Sequence, residues 1–139
     1  MYAFASAEYL AALHGYLAAR AKEFDRALHG AAFSVCEVYT DVPRTIAADG
    51  RVAVTWRVRA GAVELTRTES DDVELKVVVD WATIAPLAKF VVGDDKARAR
   101  ELNEAMDRAV ADGKMMVHSS NRPPAFFRSV HDDMAALTL

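Results

Sequence analysis

One stretch of the chain decides the fold: residues 51–79 read RVAVTWRVRAGAVELTRTESDDVELKVVV. Apolar and polar residues alternate in three short runs, which are separated by Ala60-Gly61 and by Ser70-Asp71-Asp72. Alternation with a period of two is typical of a β-strand that buries one of its faces. The stretch therefore predicts three consecutive strands.

The first turn sets the register of the first two strands. A two-residue loop at Ala60-Gly61 places Trp56 opposite Leu65 and Arg57 opposite Glu64. An apolar pair then lies on one face and an ion pair on the other, which is the arrangement that cross-strand energies favour. A shift by one residue would destroy both pairs, so the sequence predicts this register.

The second turn predicts how the third strand pairs. A three-residue loop at Ser70-Asp71-Asp72 would place Leu65 opposite Val77, again apolar against apolar. We therefore expect residues 51–79 to form an antiparallel meander with one apolar face and one polar face in contact with solvent.

The flanking regions predict helices and two further strands. The N-terminal helix begins at the cap residue Ser6 and ends at Gly30, because leucine and phenylalanine recur between them at helical spacing. The other predicted elements are strands at 33–40 and 114–118 and helices at 81–90, 95–111 and 125–137. This order predicts an α+β fold for residues 1–139 as a single domain, with helices covering one face of a four- to five-stranded antiparallel sheet.

Composition and charge exclude several classes of protein. With 139 residues, 53% apolar residues and a net charge of −3, the chain has a globular composition and no basic stripe for nucleic acid. Cys36 is the single cysteine, so no internal disulfide can form, and on a strand we expect it to be buried and inert. We find no signal peptide and no membrane-spanning run, which predicts a cytoplasmic protein. An edge strand could still pair with a second copy to form a homodimer.

The predicted architecture points to a pocket for a small molecule. A curved sheet beneath helices that carry large side chains often leaves an apolar cavity between the two layers. The same residues could instead simply fill a solid core. The candidate ligand-binding residues are Val54, Trp56, Leu65, Arg67, Val77, Trp81, Phe90, Met106, Met115, Phe126 and Phe127.

The stretch from residue 52 to the C-terminus resembles the sterol-carrier-protein lipid-binding domain. The resemblance lies in short motifs: Val54-Thr-Trp56 before a glycine turn, DVELKV at 72–77, Asp80-Trp81 at a helix start, and GKMMV at 113–117. It implies a non-catalytic carrier of acyl chains, sterols or similar apolar ligands between sheet and helices. Such domains also occur as accessory parts of bacterial enzymes, so the resemblance is compatible with an interaction role as well.

Arg67 is the exception on the predicted apolar face. At the rim of the sheet its long side chain would reach water, whereas inside the fold it would need an anion. A fatty carboxylate could supply that anion, and this is the most specific hypothesis that the register supports.

An enzymatic alternative remains open. A cone-shaped α+β isomerase or cyclase would need polar groups in the cavity, such as Glu37 or a His118–Asp133 acid–base pair. The four histidines have no metal-binding spacing, so the sequence predicts neither a metal nor a cofactor, and it assigns no catalytic residue.

Overall fold

A computed structural model describes residues 1–120 and 122–139. Within them, five strands form a single sheet, and five helices flank the strands along the chain. In chain order the elements are α1 (Ala7–Ala19), α2 (Ala21–Ala27), β1 (Phe33–Thr40), β2 (Val52–Arg59), β3 (Ala62–Thr66), β4 (Leu75–Asp80), α3 (Trp81–Ala88), α4 (Lys96–Ala111), β5 (Met115–Ser119) and α5 (Phe126–Ala135). The α+β class is confirmed.

The β2–β3 hairpin forms in the predicted register. Trp56 lies opposite Leu65 and Arg57 opposite Glu64. Both turn residues of Ala60-Gly61 have positive φ, 52° and 74°, as a type I′ turn requires. The twist of this turn matches that of the strands, so local chemistry is sufficient to determine the hairpin.

The predicted pairing of β3 with β4 is wrong. The strands are ordered β3-β2-β1-β4-β5, and β4 runs parallel to β1, with Leu75 opposite Val35 and Val77 opposite Glu37. The sheet is therefore mixed rather than antiparallel. The central strand β1 is buried on both faces along most of its length, and pairing β4 with it buries Leu75 and Val79 more fully than an edge position would.

The crossover from β3 to β4, residues 67–74, also corrects the expectation that the second face of the sheet is wet. Thr55 and Arg57 on that face donate hydrogen bonds to main-chain carbonyls of the crossover at 2.7 and 2.8 Å. Beneath it, Thr55 and the neighbouring Cys36 are buried. Part of the polar face is therefore covered, and Cys36 lies in a closed environment, as predicted.

The helices differ from their predicted bounds mainly at the N-terminus. Ser6 caps α1 as predicted, because its Oγ accepts a hydrogen bond from the Tyr9 amide at 3.1 Å. The predicted single helix is broken at Arg20, whose φ of −110° lies outside the helical range, and α2 follows at once. The break lets Phe24 turn into the core, where it is buried.

The hydrophobic core lies between the sheet and the helices, on the face that the apolar pattern predicts. Every helix contributes at least one buried side chain to it. Representative core residues are Leu13 and Leu17 (α1), Phe24 (α2), Val35, Val54, Trp56 and Val79 (sheet), Ala85 (α3), Ala109 (α4) and Val130 and Met134 (α5).

Candidate functional site

A pocket of about 100 Å³ lies in this core, which we call the inner pocket. It is bordered by β1 and β2 on one side and by the N-terminal segment, α1, α3 and α5 on the other. Its lining residues are Phe4, Tyr9, Leu13, Glu37, Tyr39, Trp56, Ile84, Ala88, Phe127, Val130, His131 and Met134. Most of them are apolar, which makes its few polar side chains conspicuous.

Glu37 is the charged residue on the pocket-facing side of the central strand. The register places it between Val54 on β2 and Val77 on β4, so its nearest strand neighbours are apolar. It is partly buried, and the surface it keeps faces the pocket that it lines. Burial raises the pKa of Glu37, because an apolar environment disfavours the ionised carboxylate.

Tyr39 supplies the hydrogen bond that Glu37 receives. The Tyr39 hydroxyl donates to Glu37 Oε2 at 2.6 Å, the short distance expected for a hydroxyl on a carboxylate. Residues two apart on a strand share a face, so β1 presents both side chains to the pocket. Burial, and then the charge of Glu37, raises the pKa of Tyr39 well above its ordinary value, and the hydroxyl therefore keeps its proton.

Two further polar groups reach the same pocket from the helices. Tyr9 on α1 is buried, and burial followed by the charge of Glu37 raises the pKa of Tyr9. His131 on α5 is hydrogen-bonded through Nε2 to the Phe90 carbonyl at 2.9 Å. Because a carbonyl only accepts, Nε2 carries the hydrogen, and in the neutral ring Nδ1 is left as an acceptor.

The next residue on α5 holds this helix in place. The Asp132 carboxylate accepts hydrogen bonds from the main-chain amides of Val92 and Gly93 at 2.9 and 3.0 Å. Together with the His131–Phe90 bond, these contacts fix α5 against the segment that follows α3. The orientation of the His131 ring is thus set by main-chain contacts outside the pocket.

A second, larger depression of about 300 Å³ adjoins the inner pocket, and we call it the outer groove. It lies between α4 and the start of α5, and its lining residues are Leu102, Asn103, Met106, Pro123, Pro124, Ala125, Phe127, Arg128 and His131. Phe127 and His131 line both spaces and so form their common wall. The Phe127 ring is stacked on Trp56, with centroids 6.1 Å apart.

The candidate ligand residues predicted from the sequence divide between these spaces and the solid core. Trp56 and Phe127 line the inner pocket, and Met106 and Phe127 line the outer groove. The other candidates pack elsewhere. Four of them lie on the helix-facing side of the sheet: Val54, Leu65, Val77 and Met115. Phe126 packs against Phe24, the Trp81 indole N–H lies 3.4 Å from the Phe4 carbonyl, and Phe90 lies under the Arg98 guanidinium.

Arg67 lies at the surface, outside the inner pocket. It is exposed, and its guanidinium donates to the Ala7 carbonyl at 3.3 Å beside a shallow depression at the start of α1. Of the two sequence-based alternatives, the structure shows the side chain reaching water at the rim. The carboxylate of a ligand in the inner pocket would therefore not be paired with Arg67.

The His118–Asp133 pair of the enzymatic alternative does not form. His118 is exposed on β5, opposite Lys76, on the face of the sheet away from the helices. Asp133 instead accepts a hydrogen bond from the Tyr16 hydroxyl on α1. The two residues lie on different sides of the sheet and cannot act together.

Sequence reasoning missed most of the polar cluster. The sequence predicts Glu37 only as a polar group that an enzyme could use, and it assigns no role to Tyr9, Tyr39 or His131. One signal for β1 was present: Glu37 and Tyr39 continue the alternation that begins with Phe33 and Val35, so they share its apolar face. No local pattern pointed to Tyr9 or His131, because they join the cluster only through helix packing.

Among known proteins, the chain is similar to solved structures, and this similarity is in structure rather than in sequence. No family model and no curated protein matches the chain. It is similar to the solved structure entitled "UbiJ-SCP2 Ubiquinone synthesis protein", with 14% identity, a TM-score of 0.46, and coverage of 93% of this chain and 89% of that one. It is also similar to palmitated SCP2L2 from Aedes aegypti, solved by solution NMR, with 12% identity, a TM-score of 0.42, and coverage of 94% and 95%.

Both titles name SCP2, the type of domain that the sequence resembles. With TM-scores below 0.5, this likeness carries no argument about function, and the proposals below are built on the side chains of this chain. In residues 1–120 and 122–139, no helix is long and apolar enough to cross a membrane. The same residues hold no group of three His, Cys, Asp or Glu side chains placed to bind a metal ion.

Proposed function

We propose that this protein binds a small apolar or amphiphilic molecule, such as an acyl chain or a sterol, between its sheet and its helices. The observation that carries the proposal is the pair of adjoining spaces, the inner pocket and the outer groove, with Phe127 and His131 as their common wall. An apolar pocket with a few convergent polar groups is the usual form of a small-molecule site.

The sizes of the two spaces favour a ligand that occupies both. The inner pocket, at about 100 Å³, is smaller than the roughly 150 Å³ cavity known to take up benzene. It has room for one end of a chain or ring system. The outer groove, at about 300 Å³, offers room for the remainder. A rotation of the Phe127 side chain away from Trp56 would join the two spaces.

A substitution that fills the inner pocket tests the proposal. Ala88 on α3 lines this pocket, and Ala88→Leu would place three additional carbon atoms there. Ala18→Leu is the matched control, because Ala18 is exposed on α1 and the change in helix propensity is the same. Native mass spectrometry of the purified protein and calorimetric titration with 1-octanol provide the two readouts.

We expect the wild type and Ala18→Leu to bind 1-octanol with a negative heat-capacity change, and Ala88→Leu to bind at least about tenfold more weakly. Thermal melts establish that both variants are folded. Equal binding by Ala88→Leu and the control would contradict the proposal, as would a wild type that neither binds 1-octanol nor carries a ligand from the cell.

A second candidate function is proton transfer, and the Glu37–Tyr39 pair favours it. A carboxylate with a raised pKa, beside tyrosine hydroxyls in an apolar pocket, is an arrangement that can remove a proton next to a carbonyl group. The test is exchange of the α-protons of a neutral ketone, such as 2-heptanone, in deuterated water, followed by NMR. Exchange catalysed by the wild type and lost in Glu37→Gln would support an enzyme. No exchange above the rate in buffer would leave binding as the function.

A further inference from the structure

The polar groups of the inner pocket retain hydrogen-bonding capacity that the protein itself does not use. Within the described part of the chain, the Tyr39 hydroxyl is the hydrogen-bond partner of Glu37, at Oε2, and the Tyr9 hydroxyl has none. His131 uses Nε2 for the Phe90 carbonyl, which leaves Nδ1. Glu37, Tyr9 and His131, which carry these unused groups, all line the inner pocket.

These free atoms are accessible rather than sealed in the core. Among the described residues, Asp25 Oδ1 is the one side-chain oxygen or nitrogen that is both fully enclosed and unpaired, and it lies on α2 outside this pocket. The free oxygens of Glu37 and Tyr9 therefore keep accessible surface, and both residues line the inner pocket. A buried polar group without a partner is costly, so a ligand that supplies one gains affinity there.

The chemistry of the cluster selects among polar groups. A neutral hydroxyl donates one hydrogen bond and accepts others, so it can donate to a Glu37 oxygen and accept from the Tyr9 hydroxyl at the same time. If Glu37 holds its proton, the same hydroxyl accepts from it instead. A ligand carboxylate or phosphate only accepts, and beside an ionised Glu37 it would bring a second negative charge, with Arg67 outside the pocket.

We propose that Tyr9, Glu37, Tyr39 and His131 form a headgroup subsite that binds the hydroxyl of a neutral aliphatic or alicyclic alcohol. The ligand enters head-first, and its hydrocarbon part passes the wall formed by Phe127 into the outer groove. This assignment rests on the proposed function as a binding protein and specifies the class of ligand. Tyr39 acts as a positioning residue, since its hydroxyl holds the Glu37 carboxyl in one orientation.

Burial is consistent with this choice of ligand. It raises the pKa of Glu37, while the hydrogen bond from Tyr39 and the charge of His131 oppose that rise. Both protonation states of Glu37 can pair with a hydroxyl, whereas the ionised state repels an anion in the same space. The ability to bind an alcohol hydroxyl is thus independent of the proton on Glu37.

The test compares two isomers that differ in the ability to donate a hydrogen bond. 1-Octanol and 1-methoxyheptane have the same atoms, but the ether lacks the hydroxyl donor. Calorimetric titration of the wild type is expected to give about tenfold tighter binding of the alcohol, the typical worth of one buried hydrogen bond. This comparison requires no variant.

A double variant shows whether the preference comes from this subsite. Glu37→Leu with Tyr39→Phe replaces both members of the buried pair by apolar groups, which avoids leaving one of them unpaired. We expect this variant to prefer the ether, and Tyr9→Phe to reduce the preference for the alcohol by a few fold. Glu64→Gln, an exposed carboxylate on the other face of the sheet, is the control and should retain the wild-type preference.

The outcomes separate the two levels of the proposal. Binding of both isomers by the wild type with equal affinity overturns the headgroup subsite and leaves the binding function intact. A preference that persists in the double variant also overturns it, because the hydroxyl must then be bound elsewhere. Binding of neither isomer overturns the headgroup subsite, and if the purified protein also carries no ligand from the cell, the binding function is refuted with it.

Discussion

Replacing Tyr39 by Phe removes a single hydroxyl, and with it the hydrogen bond to Glu37 at 2.6 Å. Tyr39 is only 4% exposed, and within the described part of the chain no other side chain donates to Glu37, so the protein itself does not replace the lost donor. The partner left behind is a carboxylate that already pays for burial, as the raised pKa of Glu37 indicates. The substitution should therefore destabilise the fold even though the ring still fits.

The expected magnitude follows from the type of hydrogen bond. A bond to an ionised group contributes about 1.5–3 kcal/mol net, and a bond between neutral groups about 1 kcal/mol. Since the hydrogen bond from Tyr39 opposes the rise in the pKa of Glu37, its removal raises that pKa further and makes ionisation costlier. We expect a loss of about 2 kcal/mol at mildly alkaline pH, or roughly 7 °C in Tm, and about 1 kcal/mol at acidic pH.

Urea unfolding at the two pH values measures this difference, and Tyr9→Phe is the matched control. It is the same substitution at another buried tyrosine of the same pocket, but the Tyr9 hydroxyl has no hydrogen-bond partner in the described part of the chain. Its cost should stay below about 0.5 kcal/mol. Equal losses in the two variants, or a Tyr39→Phe loss that does not grow with pH, would refute the role of the Glu37–Tyr39 bond.

Three further predictions concern stability. In urea unfolding, Glu37→Gln should become more stable relative to the wild type as the pH rises from the ordinary glutamate pKa through the raised pKa of Glu37. The reason is that the folded wild type must ionise a buried carboxyl group over this pH range, whereas glutamine does not ionise. The control Glu64→Gln, at an exposed carboxylate, should show no such trend. Asp132→Ala should cost about 2 kcal/mol by loss of its bonds to the amides of residues 92–93, and unchanged protection of those amides in hydrogen exchange would contradict this. Ser6→Ala should cost about 1 kcal/mol through the lost N-cap, with Ser6→Gly costing less in the same thermal melts.

The local parts of the fold could be predicted because their determinants are close in sequence. The Ala60-Gly61 turn and the alternation on both sides of it specify the β2–β3 register, and Ser6 and Asp80 cap helices through contacts three residues away. Such signals depend on backbone geometry within one turn of the chain. They do not determine which strands pair when the strands are far apart in sequence.

The position of β4 in the sheet depended on whether it pairs with β3 or with β1. A short loop at residues 70–72 allows a hairpin with β3, and the apolar pattern of Val77 and Val79 fits that partner. The same pattern fits β1 equally well, and β1 offers burial on both faces at the centre of the sheet. Period-two alternation specifies which face of a strand is buried, but it does not identify the neighbour, so the crossover appears only in the tertiary structure.

The candidate site shows the same division. The sequence by itself determined that an apolar sheet face, on which Trp56 lies, would be covered by helices, one of which carries Phe127, because periodicity reports burial. Only the tertiary structure brought Tyr9 and His131 from two helices beside Glu37, and moved Arg67 to the rim. The physical reason is that the burial of each residue is encoded in the local sequence pattern. The neighbours of a buried polar group, in contrast, depend on how helices and strands that are distant in sequence pack together.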